Sequence, residues 1–156
     1  MDILKGRIAC GKNKVFGVTE EGKILVTGVP EGTVTPISHW EDIAAISVGG
    51  QVVGLKKDGT VVATGDNGKG CCNVSDWADV ISIAAGDCTT VGICKDGSVV
   101  GQGDKMWNHH HTMSGREVKA LAVCHVATVG IRADGTVTAA GVYYEAVRDT
   151  AKWKLF

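Results

Sequence analysis

The sequence predicts an all-β fold built from four short, similar units that stack on one another. A hairpin glycine recurs at spacings of 37, 38 and 38 residues, with a second glycine five residues before it and a third six residues after it. Runs rich in β-branched residues separate the glycines, as is typical of strands. The three sets are Gly22, Gly59, Gly97 and Gly135; Gly17, Gly54, Gly92 and Gly130; and Gly28, Gly65, Gly103 and Gly141. One such unit has too little interior to be stable alone, so the copies must pack together.

Each unit is predicted to be a three-stranded meander. Its first strand is an apolar run, such as 43–48 or 80–85, which we expect to be buried on both faces and which reaches a glycine too soon to be a helix. Two further strands follow, at 52–56 and 60–63 in the second copy and at 90–94 and 98–101 in the third. Asp-Gly pairs such as Asp58-Gly59 join them, for which we expect two-residue hairpins with positive φ at both central residues.

A tryptophan marks the start of two of the four units and of the tail. Trp40, Trp77 and Trp153 each lie twelve residues after the third glycine of the preceding copy, and Gly115 takes that place once. The chain is therefore interpreted as a single domain, 1–156, with units at about 2–39, 40–76, 77–114 and 115–152 and a closing tail at 153–156.

Composition excludes several classes of protein. The 156 residues carry 16 Lys and Arg against 17 Asp and Glu, a net charge of −1, with no long block of like charge. This balance argues against non-specific nucleic-acid binding and against a membrane-surface role, both of which favour a basic face. No apolar stretch approaches the roughly 18 residues of a membrane span, and the first residues do not resemble a signal peptide. We therefore expect a cytoplasmic protein.

Six cysteines are scattered over different places in the repeat, without a C-x-x-C pair. In a chain without a secretory signal, reduced thiols acting as small core residues are the better interpretation. The adjacent pair Cys71-Cys72 falls in a loop, where metal binding or thiol reactivity is the alternative.

The repeat resembles that of the regulator of chromosome condensation family in its compact bacterial form. The residues that carry the resemblance are WEDIAAISVG followed by VGLKKDGTVVATGDN, and WADVISIAAG followed by VGICKDGSVVGQGD, and the likeness extends over essentially the whole chain. It implies a β-propeller, with four-stranded antiparallel blades around a central axis. Known members perform nucleotide exchange on a small GTPase, contact chromatin or, in a bacterial relative, inhibit β-lactamase, so the fold does not select one function.

The family ring usually has seven blades, whereas this chain supplies four. The four either close alone as a small ring or leave an open arc with two exposed edges, which are association sites. Two copies joined head to tail would make eight blades as a homodimer. Asp2 stands where the first blade would need a tryptophan, so we expect Trp153, with Phe156 beside it, to fill that vacancy from a partner or from its own chain. The alternative is a tail that merely covers the last blade.

Two loops differ from the ordinary Gly-rich turn of the second copy. The third copy's loop carries Met106, Trp107, His109, His110 and His111. Trp and Met are typical anchors of protein interfaces, and His adds hydrogen bonds that titrate near neutral pH. The alternatives are a surface loop without a dedicated role and a metal site, for which only His109 and His111 would point the same way from an extended chain.

The fourth copy's loop contains Tyr143, Tyr144 and Arg148, which could form an aromatic and basic contact or pack at the ring closure. Catalytic motifs are missing from the sequence, no cofactor is expected, and the aspartates repeated in the hairpins are turn residues. The leading hypothesis is a non-enzymatic binding module that recognises, and sequesters or inhibits, a partner protein. The alternatives are a binder of a small anionic ligand, such as a nucleotide signal, in an axial or inter-subunit pocket, and a metal-dependent enzyme.

Overall fold

The chain folds into four antiparallel sheets that follow one another along the sequence, and we call them blades 1 to 4. The computed structural model describes residues 6–11, 13–28, 36–104, 117–124, 127–141, 149–150 and 152–156. Each described sheet has three strands in sequence order. The strands are β1 (Ile8–Gly11), β2 (Lys14–Val18), β3 (Ile24–Thr27), β4 (Ile43–Val48), β5 (Gln51–Lys56), β6 (Val61–Gly65), β7 (Val80–Ala85), β8 (Thr89–Cys94), β9 (Val99–Gly103), β10 (Val118–Val123), β11 (Ala127–Arg132) and β12 (Val137–Gly141).

The apolar runs at 43–48 and 80–85 are strands, as the sequence predicts, and they form the first strand of blades 2 and 3. Their β-branched residues favour the extended backbone of a strand over a helix. The expectation that these strands are buried on both faces is wrong at Ile81, whose side chain is exposed. It is exposed because one side of β7 faces an open groove rather than another layer of the protein.

The hairpins differ from the predicted two-residue turns. Positive φ occurs at the glycine, +86° at Gly59, and not at Asp58. Gly59 N donates to the Lys56 carbonyl, and Lys56 N donates to the Thr60 carbonyl, so the loop has three residues and ends in a glycine bulge. Asp58 stabilises the loop from the side, because its Oδ1 accepts from Thr60 N at 2.9 Å and from Thr60 Oγ1 at 2.7 Å.

The core lies between successive blades. Trp40 and Trp77 are each only 8% exposed and lie over Gly54 and Gly92 of the strands they cover. A Cβ on Gly54 would lie 2.9 Å from Cζ3 of Trp40, so a side chain is excluded there. This contact explains why the glycine and the tryptophan recur together in the repeat.

The blades form an open arc. Contacts join β1 to β4, β4 to β7 and β7 to β10, and no comparable contact joins β10 back to β1 among the described strands. The four-stranded blade implied by the resemblance is not found in blade 2, where the described residues 66–79 after β6 form turns and irregular structure. In the portion of the chain that the structure describes, no helix is long and apolar enough to cross a membrane.

Candidate functional site

Strand directions divide the arc into two edges. At the upper edge lie the turns between the first and second strands, 48–51 and 85–89 for example, and the ends of the third strands. At the lower edge lie the Asp-Gly hairpins and the starts of the first strands. The two loops singled out from the sequence follow β9 and β12. Both therefore leave the sheets at the upper edge, from Gly103 and Gly141.

The predicted residues of both loops lie outside the described residues. These are Met106, Trp107, His109, His110 and His111 of the first loop and Tyr143, Tyr144 and Arg148 of the second. Asp2, at the start of blade 1, also lies outside them. The base of the first loop is described: Asp104 N donates to the Cys88 carbonyl, and Oδ2 of Asp104 lies 3.4 Å from Lys69 Nζ. The loop of blade 3 therefore starts next to the loop of blade 2.

A concave groove runs along the axis side of blades 2 to 4, between β4, β7 and β10. It has a volume of about 610 Å³, and its lining is apolar or hydroxylic apart from one lysine. Ile81, Ile83, Leu121 and Val123 provide the apolar lining, and Lys119 provides the charge. An axial pocket lined by His, Lys and Tyr is one of the alternatives that the sequence predicts; of these residue types only a lysine, Lys119, lines the groove among the described residues. The apolar lining could have been found from the exposed positions of the three aligned first strands.

Neither metal chemistry nor thiol reactivity gains support from the described residues. No group of three His, Cys, Asp or Glu that could hold a metal occurs among them, and His109 and His111 lie outside them. Burial, reinforced by the neighbouring Cys72, raises the pKa of the Cys71 thiol to about 11. A thiol with this pKa stays protonated near neutral pH, so it is a poor nucleophile and a poor metal ligand.

Cys71 instead belongs to a buried polar cluster at the upper edge. Its Sγ lies 3.1 Å from the Asp66 carbonyl, and its own carbonyl accepts from Thr90 Oγ1 at 2.8 Å. Gln51, at the start of β5, donates from Nε2 to Thr90 Oγ1 at 2.7 Å and to the Thr89 carbonyl at 3.0 Å. The cluster joins blade 2 to blade 3 and fixes the loop between them.

Two other cysteines were expected to lie in the core, and this expectation is wrong. Cys10, in β1, and Cys124, directly after β10, are exposed. They lie in the two outermost blades, and the equivalent positions of the inner blades are covered by an adjacent blade.

The tail covers blade 4 of its own chain. Leu155 N donates to the Gly135 carbonyl at 2.9 Å, and Lys154 pairs with Thr136. The first strands of blades 2 and 3 attach to the preceding hairpin in a similar way, since Ile43 N donates to Gly22 and Val80 N donates to Gly59. Within one chain, Trp153 and Phe156 thus begin a further blade but leave the vacancy at blade 1 unfilled, and both side chains are more than half exposed.

Searches of family models and of curated proteins found no match to this sequence. Solved structures do match. Prp20p of Saccharomyces cerevisiae, the yeast RCC1, aligns over 86% of this chain and 44% of its own, with a TM-score of 0.64 and 17% identity. The receptor kinase CR4 ectodomain of Physcomitrella patens aligns over 90% and 41%, with a TM-score of 0.72 and 19% identity. Human WBSCR16 aligns over 97% and 53%, with a TM-score of 0.72 and 16% identity.

The chain spans about half the length of these structures. At such identities the likeness concerns the backbone fold. The succession of meander blades, the open arc and the match to RCC1 lead to one conclusion: this chain has the all-β fold of an RCC1-like β-propeller, of which it supplies four blades.

Proposed function

We propose that this chain is a non-enzymatic module that binds a partner protein through the loops at its upper edge. The observation that carries the proposal is that the loops after β9 and β12 both leave the sheets at this edge. A single macromolecule can therefore contact both. The first loop carries a tryptophan and methionines and the second two tyrosines and an arginine, which are residue types enriched at the centres of protein interfaces. The histidines of the first loop add hydrogen-bonding groups.

The chemistry of the axial groove is consistent with a macromolecular partner. A pocket for a small polar ligand usually combines apolar walls with several convergent polar groups. The groove is lined by apolar and hydroxyl side chains, and Lys119 is the one charged side chain among the residues that line it. Prp20p, which shares the fold, binds the proteins Gsp1p and histones.

We propose that binding has its effect by sequestering or inhibiting the partner. A short chain that consists mostly of scaffold can cover a partner's surface without chemistry of its own. This is a use of the propeller loops that needs only shape and complementary contacts.

The alternative, supported by Lys119, is a small anionic ligand in the groove. A ligand that binds only the folded state raises the melting temperature, by an amount that grows with the logarithm of the ligand concentration relative to its dissociation constant. Thermal denaturation with and without nucleoside phosphates, in the wild type and in Lys119→Ala, would detect such a ligand. A shift of the wild type that the variant loses would favour this alternative.

The main proposal is tested by affinity capture from the native host with the wild type and a triple variant, Trp107→Ala, His109→Ala and His111→Ala. We expect a protein captured by the wild type to be lost with this variant, because truncating a hot-spot residue, for which a tryptophan is a frequent choice, costs about 2 kcal/mol or more of binding free energy. The matched control is Lys57→Ala with Lys95→Ala, which changes two exposed side chains at the lower edge and should retain the partner. Loss with both variants, or retention with both, would overturn the assignment to the upper edge.

A further inference from the structure

The chain contains three interfaces between successive blades, and equivalent residues meet at each of them. Strand pairing aligns Ile8 with Ile46, Ile83 and Leu121, since each pairs with the glycine of its second strand. In the inner blades these positions pack against the preceding blade. Ile46 is only 3% exposed and belongs to the core shared with Phe16 and Val18 of blade 1.

Blade 1 leaves the same positions uncovered. Ile8 is 77% exposed and Leu25 is 62% exposed. In blades 2 and 3 the position of Leu25 is taken by Val62 and Val100, and both of these side chains pack against buried clusters. Between Ile8 and Leu25 lies Gly17, the counterpart of Gly54. Among the described residues, the atom nearest to a Cβ on Gly17 would be Leu25 Cβ at 4.0 Å, so none of the described aromatic rings lies over this glycine. The outward face of blade 1 has the shape of an inner-blade face without its neighbour.

Blade 4 presents the complementary face. Val129 and Ile131 of β11 are partly exposed, whereas their counterparts in blade 3, Val91 and Ile93, are fully buried. Trp153 follows blade 4 as Trp40 follows blade 1, but it is 54% exposed, compared with 8% for Trp40. Blade 4 therefore offers an uncovered tryptophan, and blade 1 an uncovered glycine that matches it.

We propose that a second copy of this chain covers these faces, blade 4 of each copy packing on blade 1 of the other around a two-fold axis. In this arrangement Trp153 lies over the partner's Gly17, and two copies form a continuous ring of eight blades. Propellers contain about four to eight blades, so two copies fit and three do not. This inference goes beyond the proposed function and does not depend on it.

The same register brings two exposed cysteines together. At the upper edge, a glycine at the end of the first strand or directly after it approaches the last residue of the next blade's first strand. A Cβ on Gly11 would lie 2.7 Å from Val48 Cγ1, and one on Gly86 would lie 2.7 Å from Val123 Cγ1. Cys124 occupies the glycine position in blade 4, and Cys10 pairs with Val15 as Val48 pairs with Val52. In the proposed ring Cys124 therefore lies beside the partner's Cys10.

The experiment uses a short bis-maleimide on the full chain with Cys72, Cys88 and Cys94 changed to Ser; Cys71 is buried and its high pKa keeps it unreactive. We expect a covalent dimer from this parent protein. Adding Cys10→Ser or Cys124→Ser to it should abolish cross-linking, and mixing these two variants should restore it, since the mixed dimer keeps one Cys124–Cys10 pair. Cross-linking within single chains, or dimers formed by either variant alone, would overturn the proposal.

Mass in solution provides the second measurement. Sedimentation equilibrium should give a dimer for the wild type, and Trp153→Ala should raise its dissociation constant at least about tenfold, as expected for an anchor residue. The matched control is Ile81→Ala, which truncates a side chain that is also 54% exposed but lies in the axial groove. A wild type that stays monomeric would overturn the ring. If that monomer still captured a partner protein through the upper-edge loops, the proposed function would stand without it.

Discussion

Asp58, Asp96 and Asp134 form the same contact in three hairpins. In each, the carboxylate accepts from the backbone N and the hydroxyl of the residue two positions later: Thr60, Ser98 and Thr136. The hydrogen bond from the hydroxyl group is the main cause, and the one from the backbone N–H the second, of a pKa that lies below the ordinary aspartate value of 3.8 in each case. The repeated acids thus serve the turns, as the sequence analysis expected, rather than acid–base chemistry.

This contact predicts a pH dependence of stability. A carboxyl whose pKa is lower in the folded than in the unfolded state stabilises the fold above its unfolded pKa, and the stabilisation is lost as pH falls through the lowered pKa. We expect the free energy of unfolding to decrease below about pH 4, and Asp58→Asn, Asp96→Asn and Asp134→Asn together to reduce that decrease. Urea unfolding followed from neutral pH to about pH 2 tests this. An unchanged acid limb in the triple variant would contradict it.

At the scale of the element, blades 2 and 3 are joined by close backbone contact and by the buried polar cluster. Gly50 N donates to the Gly86 carbonyl at 3.0 Å, and a Cβ on Gly50 would collide with the Asp87 carbonyl. Gln51 then crosses from β5 to the first two residues of β8. Only residues without bulk, or with a matching hydrogen bond, fit at this contact.

Thr90→Val should lower the free energy of unfolding by about 1–3 kcal/mol. The reason is that the Cys71 carbonyl and the Gln51 amide each lose a buried hydrogen-bond partner. Valine has nearly the shape of threonine, so the loss reports on the hydroxyl rather than on packing. Thr90→Ser is the matched control: it keeps the hydroxyl and removes one methyl group, and it should cost less. Equilibrium unfolding in urea compares the two, and a valine variant as stable as the wild type would contradict the role of the cluster.

At the scale of the whole molecule, the exposed apolar side chains concentrate at the ends of the arc. Of the large hydrophobic residues described as exposed, Ile81 lines the axial groove, and the others lie on blade 1 or in the tail. Stacked repeats depend on their neighbours for stability, so the inner blades have two supporting faces and the outer blades one. Stability should therefore vary along the chain.

We expect hydrogen exchange to be slowest in β5 and β8 and fastest in β1, because Val53, Val91 and Ile93 are fully buried whereas Ile8 is exposed. Exchange measured by mass spectrometry at two protein concentrations tests this and the ring together. Protection of β1 that increases with concentration would support a second copy on blade 1, whereas equal protection of all four blades at low concentration would contradict an open arc.

Much of the fold could be predicted because it is written in local, repeated chemistry. The glycine spacing, the Asp-Gly hairpins and the β-branched runs determined four meanders in the right places, and Trp40 and Trp77 were rightly assigned equivalent positions. The turn type was wrong, because a three-residue loop and a two-residue hairpin share the same Asp-Gly signal, and only the backbone geometry at Asp58 distinguishes them.

The amino-acid sequence by itself determined the repeat, the strands and the identity of the two unusual loops. Only the tertiary structure decided that Ile81, Leu121 and Lys119 line one groove, that Gln51 joins two blades, and that the tail at 154–156 contacts blade 4 of its own chain while Trp153 stays exposed. The physical reason is that strand periodicity depends on neighbouring residues, whereas burial depends on which surfaces meet. Residues distant in the sequence acquire a shared role only when the blades stack.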